Sequence, residues 1–310
     1  MNILVTGATG FLGRHLCREL EARGHILSPL SSTDCDLTRS DSLDQFSRQR
    51  FDQIFHLATW TEAGDFCLRH AGEQWLINQQ INTNTLAWWQ ARQPQAKLIC
   101  IGSSCAYAPG DELTEENYLH GLPIDSLFSY AMTKRMLYVG LHALQNQFGM
   151  RYLCLVPATL YGPRFHTDGR QRHFIFDLIH KIVRGKLFDE PVVLWGDGYQ
   201  KRELLFAEDF ICIGLQLIDI CENDLINVSQ NTEFTIREFA QRICAHVGYD
   251  FQAIRFDTTR YTGATSKCLR NDMLRRILPD VTFTPIEDGL RQTIDWYYAH
   301  AGEMAGRQPL

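Results

Sequence analysis

The segment "NILVTGATGFLG", residues 2–13, restricts the fold more than any other part of the chain. Its first residues, "NILVT", have the apolar, β-branched character of a buried strand. Leu12, Leu16 and Leu20 then recur at i, i+4 and i+8, so the following segment has one apolar face at helical spacing, and Gly24 supplies its stop. Between strand and helix lie Gly7, Gly10 and Gly13, a G-x-x-G-x-x-G arrangement. Glycines at such a junction let the backbone turn tightly and approach a pyrophosphate, whose charge meets the free N–H groups of the helix N-terminus. A glycine trio alone says little. In this strand–loop–helix context it predicts a dinucleotide site, with Gly7, Gly10, Phe11, Leu12 and Gly13 at the phosphates.

The alternation continues. "HILSPL", "DQIFHLA", "KLICIGSS" and "RYLCLVPAT" read as strands with helical patterns between them, the clearest running from about Ser126 to Phe148 and ending at Gly149. Near-continuous apolar strands separated by helices indicate a parallel sheet covered on both faces. After about Leu160 the rhythm changes: "YGPRFHTDGRQRH" is irregular, "FIFDLIHKIVRGK" is helical, and "VVLWGDG" and "RELLF" are short strands broken by glycines. Glu208 to Cys221 reads as a helix and "LINVS" as a strand, both returning to the first sheet. Thr235 with Glu238 makes a capping box for a helix that Gly248 closes. The expected fold class is α/β. A Rossmann-type doubly wound parallel sheet (1–160, with later returns near 204–229) carries a smaller C-terminal α/β substrate lobe (161–203 and 230–310), with a cleft between them.

Composition removes several kinds of partner. A net charge of −6 without a basic run argues against nucleic acid and anionic membrane. The most apolar stretch, "FICIGLQLIDIC", is too short to span a bilayer and carries Gln216 and Asp219. Strand-like sequence from Met1, with no basic segment before it, argues against a signal peptide and for a cytoplasmic protein. The ten cysteines are scattered without a C-x-x-C pair, so neither disulfides nor a metal site is expected. Nine read as reduced thiols, mostly in the core. Cys105 is held apart from them.

The end of the second strand normally reads the adenosine ribose, where an acid favours NAD. "SPLSSTDCDL" places Ser31 and Ser32 at that tip, with neither an acid nor an arginine. Two hydroxyls can bind a 2′-phosphate, with Arg14 or Arg39 swinging in to neutralise it, which favours NADP and leaves NAD open. Asp36 and Leu37 are candidates for the adenine, and Leu57 and Ala58, after the third strand, complete the cofactor set.

Tyr130 and Lys134 in "SYAMTK" lie four apart on a helix and share a face. A neighbouring ammonium should bring the phenol's pKa toward neutrality, so that it can exchange a proton with a carbonyl or alcohol. Y-x-x-x-K arises often by chance. Alongside the glycine loop and Ser103 at the end of the fourth strand, it carries more weight.

At these residues the chain resembles, over nearly its whole length, the extended short-chain dehydrogenase/reductase family, which includes nucleotide-sugar epimerases, dehydratases and reductases. The resemblance implies that Ser103 and Tyr130 hydrogen-bond a sugar ketone or alcohol, that Lys134 holds the nicotinamide ribose, and that hydride passes at the sugar ring. Sugar 4,6-dehydratases carry Asp-Glu after the serine; Ser104 and Cys105 stand here instead, which disfavours dehydration. "GSSCAY" looks like the matching segment of the GDP-L-fucose synthase subfamily, as do "LTEENYLHGLP", "LYGP" and "VVLWGDGYQKRELLFAEDF". In that subfamily a cysteine and a histidine invert carbons beside a 4-keto group. His173, at the head of the helix after "YGP", matches the histidine better than His166 or His180.

The implied activity is epimerisation and reduction of a nucleotide-linked, GDP-type 4-keto-6-deoxy sugar, with C3, C5 or both inverted. A simple 4-keto reductase in which Cys105 only packs, and an NAD-retaining 4-epimerase, are the alternatives. Ser104, Trp195, Arg202 and Lys267 fall at substrate positions, and a homodimer is implied, using the helix from Ser126 and that near Asn82 to Gln90. Departures from the subfamily are Ala158-Thr159 before "LYGP", Arg270, the loop "RFHTDGRQRH", and the missing arginine for a 2′-phosphate.

Overall fold

Six strands form the central sheet, and their order explains where a ligand can enter. The computed structural model describes residues 1–167, 170–259 and 265–304, apart from the side chains of 301–304, so residues 168 and 169 of the irregular loop lie outside it. The elements run β1 (Asn2–Thr6), α1 (Phe11–Ala22), β2 (Ile26–Leu30), β3 (Gln53–His56), α2 (Phe66–Arg69), α3 (Ala71–Arg92), β4 (Lys97–Ile101), α4 (Phe128–Phe148) and β5 (Tyr152–Pro157). There follow β6 (Thr159–Tyr161), α5 (Phe174–Phe188), β7 (Val193–Trp195), β8 (Lys201–Phe206), α6 (Ala207–Ile220) and β9 (Asp224–Val228). The last are β10 (Glu233–Thr235), α7 (Ile236–Val247), β11 (Arg255–Asp257), α8 (Asp272–Ile277) and α9 (Ile286–Met304).

The sheet order is β2-β1-β3-β4-β5-β9, and every pair is parallel. The chain moves outward from β1 to β2, then returns to β3 on the other side of β1. This reversal opens a crevice at the carboxyl ends of β1 and β3. Alternation along the strands divides the helices between two faces. Ile99 and Leu155 meet Leu16 of α1 and Ile211 of α6, whereas Cys100 and Cys154 face Lys134 of α4, which packs on α3. The α/β, Rossmann-type doubly wound architecture expected from the sequence is therefore present.

A second apolar cluster gathers Tyr161, Ile175, Ile179, Phe239, Ile243 and Ile294 from β6, α5, α7 and α9. Its sheets are β10-β8-β6 and β11-β7. One expectation changes here: the return to the large sheet does not begin at residue 204. β8 joins the small sheet, turning Leu204 and Phe206 into the second core and Leu205 into the first, because neighbouring strand residues face opposite ways. The Thr235–Glu238 capping box is formed. Among the described residues no helix is long and apolar enough to cross a membrane.

Close approach fixes the glycine loop. Gly7 has φ +68°, and a Cβ there would lie 2.9 Å from the Ala58 backbone nitrogen. A Cβ on Gly13 would lie 2.2 Å from the Gly7 carbonyl oxygen and 2.7 Å from Ala8 Cα, backbone atoms that cannot rotate aside. Gly13→Ala should therefore cost about 1–3 kcal/mol, as overpacking does, seen as a lower urea midpoint than wild type.

Candidate active site

The site is built where β4 ends. Gly102 leaves the strand so closely packed that a Cβ would lie 2.7 Å from Val156 Cγ2 and 3.0 Å from Tyr118 Oη. The Ser103 N–H donates to the buried Tyr118 hydroxyl at 3.3 Å. Ser103 Oγ caps the short turn Ser104–Ala106 by accepting the Cys105 N–H at 3.1 Å, and it also bonds the Tyr130 hydroxyl. Helical spacing brings Tyr130 and Lys134 together, with Lys134 Nζ 5.9 Å from the Tyr130 ring centroid and donating to the Ile101 carbonyl at 2.9 Å.

The expected effect of that lysine on the phenol is not what the structure shows. Burial raises the Tyr130 pKa, the Cys105 sulfur raises it further, and only the Ser103 hydrogen bond opposes them. Burial also lowers the Lys134 pKa. Sequence spacing puts the two groups on one face but says nothing about how much protein surrounds them, and desolvation is the larger effect here.

Cys105 behaves in the opposite way. Burial pushes its thiol up, but Lys267 Nζ, donating to the sulfur at 3.0 Å, together with Ser103 and the more distant Arg202, brings it below the ordinary value. His173 stands at the N-cap of α5 with an exposed edge. Burial lowers its pKa, and Lys267 lowers it further. The structure thus gathers Ser103, Cys105, Tyr130, Lys134, His173, Arg202 and Lys267 from both sides of the cleft. Ser104 is half-buried beside them. Trp195 ends β7, half-exposed, with Lys181 Nζ 5.6 Å from its ring centroid.

Three contributors were not visible in the sequence. Arg135 is buried and donates to the carbonyls of Ala106 (2.8 Å), Gly121 (2.7 Å), His120 (2.7 Å) and Leu119 (3.4 Å), which ties the cysteine-bearing turn to α4. Cys67 is buried and faces both Cys105 and Tyr130. Gln171 reaches across the cleft, donating its N–H to Glu62 Oε2 (3.4 Å) and its Nε2 to Asp65 Oδ1 (2.8 Å). No local periodicity marks any of them. The other nine cysteines are free thiols and mostly buried, as expected, with Cys212 exposed and Cys17 and Cys268 half-buried.

At the other end of the crevice the N-terminus of α1 carries no side-chain cap, so its N–H groups face outward beside Gly7, Gly10 and Gly13. The Leu57 and Ala58 N–H groups donate to Thr6 Oγ1, each at 3.2 Å. Thr6 in turn meets His56 Nδ1 at 3.1 Å, and His56 Nε2 meets Asn82 Oδ1 at 3.1 Å. Burial brings His56 down to about 4, so the imidazole is neutral and relays hydrogen bonds without charge.

The β2 tip corrects another expectation. Asp34 folds back so that its carboxylate accepts both the Ser31 hydroxyl and, at 3.0 Å, the Ser31 N–H. An acid therefore does stand at the tip, brought there by a turn. Ser32 is exposed. Arg39 pairs with Asp41 at 3.3 Å and Arg14 donates to the Arg164 carbonyl at 2.8 Å, so both are already engaged. Asp36 accepts from Thr38, and the Leu37 carbonyl accepts from Asn84 Nδ2 at 2.9 Å.

The NAD dependent epimerase/dehydratase family profile matches residues 3–228, and the chain belongs to that family of enzymes. It is 26% identical over 309 residues to a GDP-L-fucose synthase of Dictyostelium discoideum, with 95% of this chain and 94% of that one covered. To a dTDP-4-dehydro-6-deoxy-D-allose reductase of a Streptomyces species it is 25% identical over 323 residues, with 96% of each covered. A solved GDP-L-fucose synthetase from Naegleria fowleri bound to NADP superposes with a TM-score of 0.86 at 25% identity, over 97% of this chain and 95% of that one.

Arg135→Met would leave the buried Ala106 carbonyl and the part-buried carbonyls of Leu119, His120 and Gly121 without this donor. A loss of about 3 kcal/mol is expected, since each unsatisfied group costs roughly 1–3 kcal/mol and some will find water. Calorimetric melting of the purified variant measures it.

Proposed function

We propose that the chain is an NADP-dependent epimerase/reductase of a GDP-linked 4-keto-6-deoxy sugar, inverting C3, C5 or both before C4 is reduced. The observation that carries this reading is that Lys267, in contact with the Cys105 sulfur beside the Ser103–Tyr130 pair, also faces His173. Its relatives' GDP-sugar and 4-dehydro-sugar activities support the substrate class.

Residues 1–160, with the returns after β8, hold the cofactor in this reading, and 161–203 with 230–310 hold the sugar nucleotide. Gly7, Gly10, Phe11, Leu12 and Gly13 fit a pyrophosphate, because Gly7 and Gly13 let the loop pack tightly against backbone where a Cβ would clash, and the loop ends at uncapped N–H groups. Lys134 would hold the nicotinamide ribose. Bound NADPH supplies the hydride for C4.

The protein's own groups handle the protons. A carbon beside the 4-keto group is acidified because its carbanion delocalises into the carbonyl. Cys105, as thiolate, removes that proton; the C–H electron pair moves toward the carbonyl oxygen, which the Ser103 and Tyr130 hydroxyls receive. His173, once it has taken up a proton from solvent, returns one on the opposite face as imidazolium and reverts to the neutral ring that its surroundings favour. Tyr130, kept protonated by its raised pKa, is then in the correct state to give a proton to the C4 oxygen. Ser104, Trp195 and Arg202 would meet the sugar nucleotide, with the Arg202 fork suited to a diphosphate.

A homodimer fits the outer surfaces of α3 and α4, where Trp75, Leu76, Met136 and Val139 are exposed; Trp88 and Trp89, expected to face a partner, are instead buried in the first core. Ten unpaired thiols suit the reducing cytoplasm.

In deuterated water, GDP-4-keto-6-deoxymannose should gain label at C3 or C5 without cofactor and yield reduced product only with NADPH. Cys105→Ser should slow the exchange by roughly 100-fold or more, the usual scale for losing an acid–base group. Normal reduction with unlabelled carbons would leave a plain 4-keto reductase, and turnover without net cofactor use a 4-epimerase. At the β2 tip, Asp34→Asn should tighten NADPH relative to NADH by about 5–10-fold, because it removes roughly 1 kcal/mol of repulsion toward a 2′-phosphate. Fluorescence titration of each reduced dinucleotide reads that ratio.

A further inference from the structure

Cys105 is in direct contact with a lysine that lies 162 positions away in the chain, and that lysine is not a loose surface side chain. The Lys267 N–H donates to Glu233 Oε1 at 2.6 Å, and the preceding Ser266 hydroxyl donates to Glu233 Oε2 at 2.6 Å. Two residues on, the Leu269 N–H donates to the buried Glu203 carboxylate at 3.0 Å, which also accepts the Ser229 hydroxyl and the Asn231 N–H. Glu203 and Glu233 sit opposite each other on the paired strands β8 and β10. Residues 266–269 are therefore clamped between two carboxylates of the small sheet, and Lys267 reaches from that anchor across the cleft to the sulfur.

We propose that Lys267 is the positioning residue of the Cys105 sulfur: anchored on the small sheet and in contact with the sulfur, its ammonium holds Cys105 as a thiolate. The ion pair stands on the geometry alone, whereas its part in sugar inversion rests on the function proposed above. The groups that face the sulfur are Lys267, Arg202 of β8, Tyr130 of α4, Cys67 of α2 and the Ser103 hydroxyl. Of these, only Lys267 and Arg202 bring positive charge, and Lys267 is the one at contact distance. A half-buried thiolate is penalised by its surroundings, so a single ammonium decides its state. Removing that ammonium returns the sulfur to the neutral thiol and lets burial push it upward. It also eases protonation of His173, so both groups should titrate at higher pH.

The test is the pH dependence of iodoacetamide alkylation at Cys105 in the full-length protein, followed on the Cys105 peptide by mass spectrometry. Lys267→Met should move the midpoint to higher pH and slow alkylation at neutral pH by about tenfold or more, the effect of at least one pH unit. Lys267→Arg, which keeps a cation, should restore most of the reactivity. If melting shows that the Met variant does not fold, Lys267→Gln removes the same charge with a polar side chain. An unmoved midpoint in the neutral variants, or an ordinary thiol midpoint in the wild type, overturns the proposal. Weaker GDP binding with an unmoved midpoint would make Lys267 a nucleotide contact only. Deuterium exchange separates the two levels: label without a midpoint shift sinks the ion pair and spares the epimerase reading, and a midpoint shift without label does the reverse.

Discussion

The seam between β1 and β3 holds the rest of the structure in place. Gly7 lies so close to Leu57 and Ala58 that no side chain fits, and Thr6 gathers the N–H groups of both residues onto one hydroxyl. Because the strand order reverses at this seam, the crevice opens here and α1 presents its uncapped end to it. The hydrogen-bonded line continues through His56 and Asn82 to the Thr133 carbonyl at 3.4 Å, one residue before Lys134. The phosphate end and the tyrosine–lysine end of the crevice are thereby set relative to each other by buried, neutral, satisfied groups, which resist displacement better than surface contacts do.

Around the reacting position, burial acts on each titratable group toward its uncharged form. It raises Tyr130 and lowers His56, Lys134 and His173. Cys105 is the exception, because a cation touches it. Lys267 faces His173 as well and lowers both groups, so one cation bears on the charge state of the thiol and of the imidazole.

Much of this was legible because the relevant signals are local. Buried parallel strands read as apolar runs, the glycine loop has a fixed spacing, and Tyr130 with Lys134 follows the helical repeat. The pairing of Cys105 with His173 came from resemblance, since nothing in their separation along the chain indicates proximity. What sequence could not supply was contact between distant segments: Lys267 on the sulfur, Arg135 under the turn, Gln171 across the cleft. The direction of the Tyr130 shift was misread for the same reason, since neighbourhood along a helix is local and desolvation is a property of the whole fold. At the β2 tip, a four-residue turn brings Asp34 onto Ser31 and alters what the string of letters suggests.

The bridge from Gln171 to Glu62 and Asp65 is made at the solvent-exposed rim of the cleft, where a hydrogen bond contributes about 1 kcal/mol. His173 lies two positions beyond Gln171, and Lys267 is anchored on the same side of the cleft. The two sides of the cleft are thus joined at the rim by side-chain hydrogen bonds that water can replace, whereas its floor at Thr6 and His56 is tied by buried ones that water cannot reach.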